Sequence, residues 1–261
     1  MNTTSSIQSS ILRIADDFGV DDHHDMVMLQ LLNKKKIDGV SVFSELISQT
    51  QINELMSARS QQNIQIGLHF NLTHGALLPG VSRLLLRSIL LRIDRSLISK
   101  EINSQLNSFK MKFGFMPDFV DGHQHVHAFP VINKVVAQAL VDIKFQGWVR
   151  NIGSGSFIGW SEALKAALKG SYFKKFIILE VLGLFHRRHL NFFGISFNQF
   201  FFGLMPLDSP IKLPISLMNL YEIKFQQSTV IMCHPGSIEG IGAKDHPSES
   251  RAVEASFLSI H

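Results

Sequence analysis

The sequence predicts an α/β fold, a distorted (β/α) barrel-like structure made of one domain. Two observations predict it. Short apolar segments of β type alternate with segments of helical period, which is typical of a parallel sheet with helical crossovers. Several of the β segments end in polar residues that can bind a metal. Because active sites of α/β folds collect at the carboxyl ends of the strands, we expect a metal site there.

Length and composition indicate a folded chain of 261 residues, 45% apolar and 18% charged. We find no internal repeat and no clear linker. We therefore expect a flexible leader rich in Ser and Thr at 1–10, followed by a single domain at 11–261. The net charge of +4 comes without a stripe of Lys and Arg interleaved with aromatic residues, so we expect no nucleic-acid partner.

Signals for membrane targeting are missing from the sequence. No basic segment precedes an apolar one near the start, and the longest apolar stretch, 176–185, is far shorter than the ~20 residues of a membrane span. A single cysteine excludes an internal disulfide and fits a reducing compartment, so we expect a cytoplasmic protein. A basic run at 186–189 beside Phe-rich 192–202 leaves room for peripheral membrane contact, and a homodimer also stays open.

The first half of the chain reads as β segments separated by helices. We predict strands over 11–15, 39–43, 64–68 and 119–121. We predict helices over 26–35 and 51–59, a loop at 74–83, and a long helical region over 84–113 that is broken once. This rhythm is that of successive β/α units.

The second half continues the rhythm less clearly. We predict helices over 131–141, 160–185 and 213–225, strands over 144–149 and 229–233, and a loop at 151–156. No element is predicted between 186 and 210, and the tail from 236 reads as a loop as far as Arg251. Seven or so β/α units would suit a barrel or a barrel-like sheet.

Three alternate histidines, His123, His125 and His127, form the most informative local pattern. If the backbone is extended there, residues two apart project to one face, and the three rings could converge on one point. Imidazole is the commonest protein ligand for transition metals. The pattern alone is equally compatible with packing.

Other polar residues follow other predicted strands. Asp16 and Asp17 follow the first strand, His69 ends the third, and His234 follows the last. Each alone is more often a turn residue or a hydrogen-bonded histidine at a strand end. Together they indicate one cleft to which several strands contribute.

Four motifs in order resemble the YdjC-like carbohydrate deacetylases, a family that includes chitooligosaccharide deacetylases and a hopanoid-biosynthesis branch. They are Ala-Asp-Asp-Phe-Gly at 15–19, Gly-Leu-His-Phe-Asn-Leu-Thr at 67–73, Asp-Gly-His-Gln-His-Val-His at 121–127 and Met-Cys-His-Pro-Gly at 232–236. The resemblance covers about 11–236. It implies a distorted β/α barrel with one divalent metal held by a carboxylate and two histidines.

Residue roles follow from the resemblance by position. It implies that Asp17, His69 and His123 bind the metal. Asp16 takes the place of the general base, and His234 lies in the active-site motif near the C-terminus, where it could protonate the leaving nitrogen or stabilise the oxyanion.

Three further residues are assigned to the substrate: His125, His127 and Arg150, the last near an arginine that often follows the barrel strand after the histidine cluster. The two histidines could instead support the ligands or pack. The sequence departs from the family pattern at Ile14, at 21–24 and at 41–45. We expect these departures near the pocket rim, which leaves the sugar open.

The predicted function is removal of an N-acetyl group from an amino sugar, or from an N-acetylated oligosaccharide or glycolipid, by a metal-dependent hydrolase. The metal could be Zn, Mg, Mn or Co; imidazole ligands lean away from Mg. One alternative is hydrolysis of another bond such as a phosphoester, for which carboxylate-bridged two-metal sites are usual. The other is a non-catalytic protein that binds sugar.

Overall fold

Parallel strands form one curled sheet in a computed structural model, which describes residues 11–74, 80–154, 173–203, 207–221, 228–243 and 246–260. The strands in this part of the chain are β1 (Ile11–Phe18), β2 (Gly39–Val42), β3 (Gln65–Phe70), β4 (Phe119–Gly122), β5 (Trp148–Val149), β6 (Ser196–Phe197), β7 (Phe200–Phe202) and β8 (Thr229–Cys233). The leader predicted at 1–10 and the helical residues predicted at 160–172 and 222–225 lie outside the described ranges.

Helices connect most of these strands. They are α1 (Asp22–Asn33), α2 (Gln49–Gln61), α3 (Val81–Ile89), α4 (Arg95–Phe113), α5 (Ile132–Asp142), α6 (Phe173–Phe193), α7 (Leu213–Tyr221) and α8 (Ser248–Ile260), with a 3₁₀ helix at His123–Ala128. Local chemistry sets several of their ends. Ser48 and Gln51 form a capping box at the start of α2. Gly114, with φ of 80°, ends α4 in the left-handed region.

The sheet has the strand order of a barrel opened at one seam, β6-β5-β4-β3-β2-β1-β8-β7. β6 and β7 are therefore its two edges, although they are adjacent in the chain. The Asn198 side chain lies between them and donates to the carbonyl oxygens of Asn151 and Phe200, at 2.9 and 2.8 Å. The predicted α/β barrel-like fold is confirmed as a parallel, eight-stranded half-barrel in a single domain.

Strands β2, β4 and β8 are buried along their whole length, as expected for a parallel sheet covered on both faces. α6 packs closely against the segment that follows β5, because Gly183 of the helix faces Gly153 of that segment. A Cβ added to Gly183 would lie 2.4 Å from the backbone nitrogen of Gly153. None of the described helices combines the length and the apolar composition needed to cross a membrane.

Some predicted elements were wrong. The strand predicted at 144–149 is reduced to Trp148–Val149, since Lys144 has a φ of 53° and the chain turns there. The region 186–210 holds the end of α6 and both β6 and β7, and these strands of two or three residues are too short to show an alternating pattern. The tail forms α8 from Ser248 onward.

The predicted break in 84–113 is confirmed, because α3 ends at Ile89 and Asp94 caps α4.

Candidate metal centre and active site

Asp16 and Asp17 lie where β1 bulges away from its ladder with β2. Ala15 pairs with Val40 and Phe18 pairs with Val42, so β1 has one more residue than β2 between these two pairs. Asp17 has a left-handed backbone with φ of 69°. Bulges re-aim side chains next to active sites. In this chain the bulge lets two consecutive carboxylates line the same cleft.

Asp17, His69 and His123 bring three potential ligand atoms together. Oδ1 of Asp17 lies 3.3 Å from Nε2 of His69 and 3.0 Å from Nδ1 of His123. All three atoms lie within 4.8 Å of one another. His69 belongs to β3 and His123 begins the 3₁₀ helix after β4. The fold therefore assembles the three residues that the sequence analysis named as metal ligands.

The second ring nitrogen of His69 is held by a carboxylate. Nδ1 of His69 lies 2.7 Å from Oδ1 of Asp121, and the Ser41 hydroxyl contacts both groups. An ionised carboxylate only accepts hydrogen bonds, so this contact assigns a proton to Nδ1. Nε2 is then the nitrogen that can bind a metal. Such a carboxylate fixes the tautomer and orientation of a metal-binding imidazole.

Arg150 lies fully buried between Asp16 and Asp121. Its guanidinium donates to both oxygens of Asp16, at 2.6 and 2.7 Å, and its Nη2 lies 2.7 Å from Oδ2 of Asp121. One cation thus compensates two buried carboxylates and fixes the orientation of Asp16. Bidentate contact of this kind is geometrically specific.

Helix α8 supplies two contacts that the sequence analysis missed. Nη2 of Arg251 donates to Oδ2 of Asp17 at 2.6 Å, which leaves Oδ1 facing the histidines. Oε2 of Glu254 accepts a hydrogen bond from the backbone N–H of His234 at 2.6 Å. Residues three apart share a helix face. The Arg-x-x-Glu spacing at 251–254 is the sequence pattern that could have predicted these contacts, although the rest of the tail is polar and typical of a loop.

A cleft of about 210 Å³ runs along this cluster. Its polar wall contains Asp16, Asp17, His69, His123, His234 and His246. The rings of His234 and His246 lie 4.5 Å apart between centroids. Much of the remaining lining is apolar, from Val81, Leu85, Phe129, Ile178, Leu179, Leu182, Leu207 and Met232. The candidate metal ligands and the two predicted catalytic residues therefore face one shared space.

The three alternate histidines do not converge as predicted. The chain turns through a 3₁₀ helix in which Gln124 and His125 have φ of 52° and 61°, so the extended-strand argument was wrong. His123 and His125 line the cleft. His127 does not line it, and its Nε2 lies 2.8 Å from the carbonyl oxygen of Arg150.

Two residues that were predicted to bind the substrate are inaccessible to it. The exposed fraction of Arg150 and of His127 is 0%, and neither lines the cleft. Arg150 contacts Asp16 instead. His125 lies in the cleft wall, where its ring packs edge-on against Phe201 at 5.8 Å.

The sequence departures that we expected at the rim lie elsewhere. Ile14 is buried in the core, and Ser41 supports His69 and Asp121. His24 accepts from the backbone N–H of Ser237 at its Nδ1, which connects α1 to the segment after β8. These residues do not line the cleft, although Phe43 of the 41–45 segment packs against the rings of His69 and His123.

Burial and neighbouring charges shift the pKa values of the site residues in different directions. Burial alone would raise the pKa of Asp17, but hydrogen bonds from His123 and His69 hold it well below its usual range. Burial acts to lower the pKa of His69, yet the Asp121 carboxylate and the other acidic partners raise it to about 10. Burial raises the pKa of Asp16, partly offset by Arg150. Burial lowers the pKa of His234 well below its usual range, so its ring is neutral at pH 7.

These residues fit a divalent metal ion. One carboxylate and two imidazoles are a ligand set used for zinc and related ions, and three protein ligands leave positions open for other groups. His69 presents the correct nitrogen because Asp121 occupies the other one. Asp17 would contribute Oδ1, His69 Nε2 and His123 Nδ1, the atoms that lie closest together in the cluster.

Fold and site together define a class: α/β half-barrels with a carboxylate and two histidines gathered at the carboxyl ends of the strands. The model of the YdjC-like protein family matches residues 11–259, and the chain belongs to that family. The recognition made from the four motifs is therefore confirmed.

Relatives in this family have names that refer to carbohydrates. The chain is 32% identical over 144 residues to a Xenopus laevis protein named carbohydrate deacetylase, a match that covers 48% of this chain and 45% of that protein. It is 34% identical over 88 residues to the chitooligosaccharide deacetylase of Proteus mirabilis (strain HI4320), over 29% of this chain and 34% of that protein. The chain thus spans about half the length, or less, of these curated relatives.

A solved structure shares the fold. The crystal structure of a protein from Enterococcus faecalis V583, suggested to cleave cellobiose phosphate, superposes with a TM-score of 0.59 at 17% identity. The superposition covers 95% of this chain and 90% of that one. At this identity the likeness concerns the fold alone.

Proposed function

We propose that this chain is a metal-dependent hydrolase that removes the N-acetyl group from an amino sugar, an N-acetylated oligosaccharide or a glycolipid. One observation carries the proposal: the Asp17–His69–His123 cluster faces the same cleft as Asp16 and His234. Membership of the YdjC-like family and relatives named carbohydrate deacetylase support the substrate class.

Asp17, His69 and His123 would hold the metal. A divalent ion bound there would lower the pKa of a water molecule and polarise the amide carbonyl. The two imidazoles favour zinc, cobalt or manganese over magnesium. The protein's own part is to fix these ligands, which it does through Asp121 on His69 and Arg251 on Asp17.

Asp16 is the proposed general base. Arg150 contacts both of its oxygens, so the carboxylate has one orientation. Burial raises the pKa of Asp16, which makes it a stronger base than an exposed aspartate. Arg150 and His127 become positioning residues in this proposal, because both are buried outside the cleft.

The proposed reaction assigns one step to each of these residues. The water oxygen forms a bond to the carbonyl carbon while Asp16 takes its proton. The C–N bond then breaks as Asp16 passes this proton to the departing nitrogen, and the products are the free amine and acetic acid, which ionises to acetate. His234 is neutral at pH 7 and therefore a weak acid. We assign it the hydrogen bond to the developing oxyanion, with Asp16 as the carrier of the proton.

A two-metal phosphoesterase is the less favoured reading. Asp16, His69 and Asp121 form a second acidic group, but it shares His69 with the first. Arg150 already compensates both of its carboxylates. A second cation would have to compete with this buried guanidinium, which favours a single-metal site.

Acetate release tests the proposal. Wild type, Asp16→Asn and a control, Asp142→Asn at an exposed position, are loaded with metal and incubated with N-acetylglucosamine and its oligomers. We expect acetate from wild type and control, and a fall of about 10²–10⁴-fold in Asp16→Asn. Sugar binding with no acetate from any substrate would instead favour the non-catalytic alternative.

A further inference from the structure

Exposed apolar side chains concentrate on two helices beside the cleft. On α3 and the turn after it they are Leu86, Ile89, Leu90 and Leu91, each at least half exposed. On α6 they are Ile177, Ile178, Val181, Leu184, Phe185 and Phe192. We call these ten residues the apolar rim. Single exposed apolar residues are ordinary, but a concentration of them marks an interaction surface.

The apolar rim is continuous with the cleft. On α3, Leu85 lines the cleft and Ile89 follows one helical turn later. On α6, Ile178 both lines the cleft and is 47% exposed. Val181 and Phe185 follow Ile178 at spacings of three and seven, on the same helix face. An apolar surface therefore runs from inside the cleft onto the outside of both helices.

Basic residues accompany the apolar rim. Residues 81–95 contain four arginines, at 83, 87, 92 and 95, against one acid, Asp94, which caps α4. On α6, Lys175 and Arg188 are exposed beside the single acid Glu180, while Arg187 is half-buried and donates to the carbonyl oxygen of Gln199. Glu180 is held by the backbone N–H and the hydroxyl of Ser154, at 2.9 Å each. Both segments therefore present positive charge beside exposed apolar groups.

We propose that the apolar rim docks onto the surface of an anionic lipid bilayer, so that the cleft opens toward the lipid. The apolar side chains would enter the boundary between headgroups and acyl chains, and the arginines would meet the phosphates. In a two-fold symmetric dimer the same basic residues would face one another across the interface. The charge therefore favours an anionic bilayer over a second copy of the chain. This inference goes beyond the proposed hydrolysis and does not rest on it.

Vesicle binding tests the proposal. The full chain is sedimented with vesicles of phosphatidylcholine alone, and with vesicles of phosphatidylcholine mixed with phosphatidylglycerol. We expect affinity for the mixed vesicles to be higher by roughly tenfold or more, since each basic residue near an anionic surface contributes on the order of 1 kcal/mol. We also expect added salt to weaken that binding.

Two matched double variants locate the contact. Leu86→Glu with Val181→Glu places charge in the apolar rim. Met111→Glu with Ile260→Glu places the same charge at exposed apolar positions of α4 and α8 that do not line the cleft. We expect the first variant to lose vesicle affinity by about tenfold or more and the second to bind like wild type. Circular dichroism and thermal melting check that both are folded.

Three results would overturn the proposal. The first is that wild type does not bind the mixed vesicles. The second is that both double variants lose vesicle affinity equally. The third is that wild type forms a dimer without lipid, and that Leu86→Glu with Val181→Glu abolishes this dimer while Met111→Glu with Ile260→Glu does not. The last would assign the apolar rim to a second copy. The vesicle assay needs no turnover, so its failure leaves the proposed acetate release untouched, and the reverse also holds.

Discussion

At the scale of the residue, Arg150 holds two carboxylates that would otherwise repel each other in the core. Asp16 and Asp121 both contact its guanidinium, and all three side chains are buried. Such an arrangement is costly to break, since removing one partner leaves buried charge uncompensated. It also explains why an arginine predicted to bind substrate is inaccessible to it.

We expect Arg150→Met to destabilise the chain by about 3–5 kcal/mol, because Asp16 and Asp121 lose their cation. Urea unfolding of metal-free protein at pH 7.5 measures the change. Arg59→Met is the control. Arg59 makes a bidentate pair with Asp118 and lies over the Phe115 ring, but its side chain is 31% exposed, so we expect a smaller loss of about 1 kcal/mol. Equal losses in the two variants would contradict the role given to Arg150.

In the proposed metal centre, His69 would couple metal binding to proton release. Its pKa of about 10 means that the metal-free ring carries both protons at pH 7.5. A metal at Nε2 must displace one of them. Because a higher pH weakens this competition, apparent metal affinity should rise with pH from 6 to 9.

Calorimetric zinc titrations in two buffers of different ionisation enthalpy count the protons. We expect about one proton released per ion from His69 at pH 7.5. Asp121→Asn should release fewer, because the carboxylate that raises the His69 pKa is gone. Affinity that does not change with pH, with no proton released, would show that His69 is neutral in the free protein.

At the scale of the element, α8 joins the two ends of the site. Arg251 contacts Asp17 after β1, and Glu254 contacts the backbone of His234 after β8. The backbone carbonyl of Arg251 also accepts from Gly236. One helix therefore supports both a candidate metal ligand and a candidate catalytic residue.

We expect Arg251→Met to lower metal affinity by roughly 10–100-fold, the usual effect of losing a group that orients a ligand. Competition with a coloured chelator measures the affinity directly. Arg251→Lys should recover part of it, because an ammonium can still donate to Asp17. The control is Arg95→Met at an exposed position of α4. Unchanged affinity in Arg251→Met would restrict α8 to a structural role.

Some elements of the fold could be predicted from the sequence, and others could not. Long strands such as β1 and β3 were predictable because their apolar residues form clear runs ending in polar groups. The 3₁₀ helix after β4 was not, since nothing in an alternating histidine pattern indicates positive φ at Gln124 and His125. α8 was missed because its site contacts come from Arg251 and Glu254, charged residues that also suit an exposed loop.

At the scale of the whole molecule, the fold brings distant segments to one edge. Asp17, His69, His123 and His234 are separated by up to 217 positions, yet all line one cleft. Parallel strands make this predictable, because their carboxyl ends meet on one side of the sheet. The open seam between β6 and β7 was not predictable, since it depends on two short strands and on the Asn198 side chain.

Metal content and acetate release, measured on the same samples of wild type and His123→Ala, test the metal centre most directly. We predict close to one divalent ion per wild-type chain, and loss of both the ion and acetate release in His123→Ala. Two results would contradict the proposed centre: no metal in either protein after reconstitution, or His123→Ala with full metal content and full acetate release.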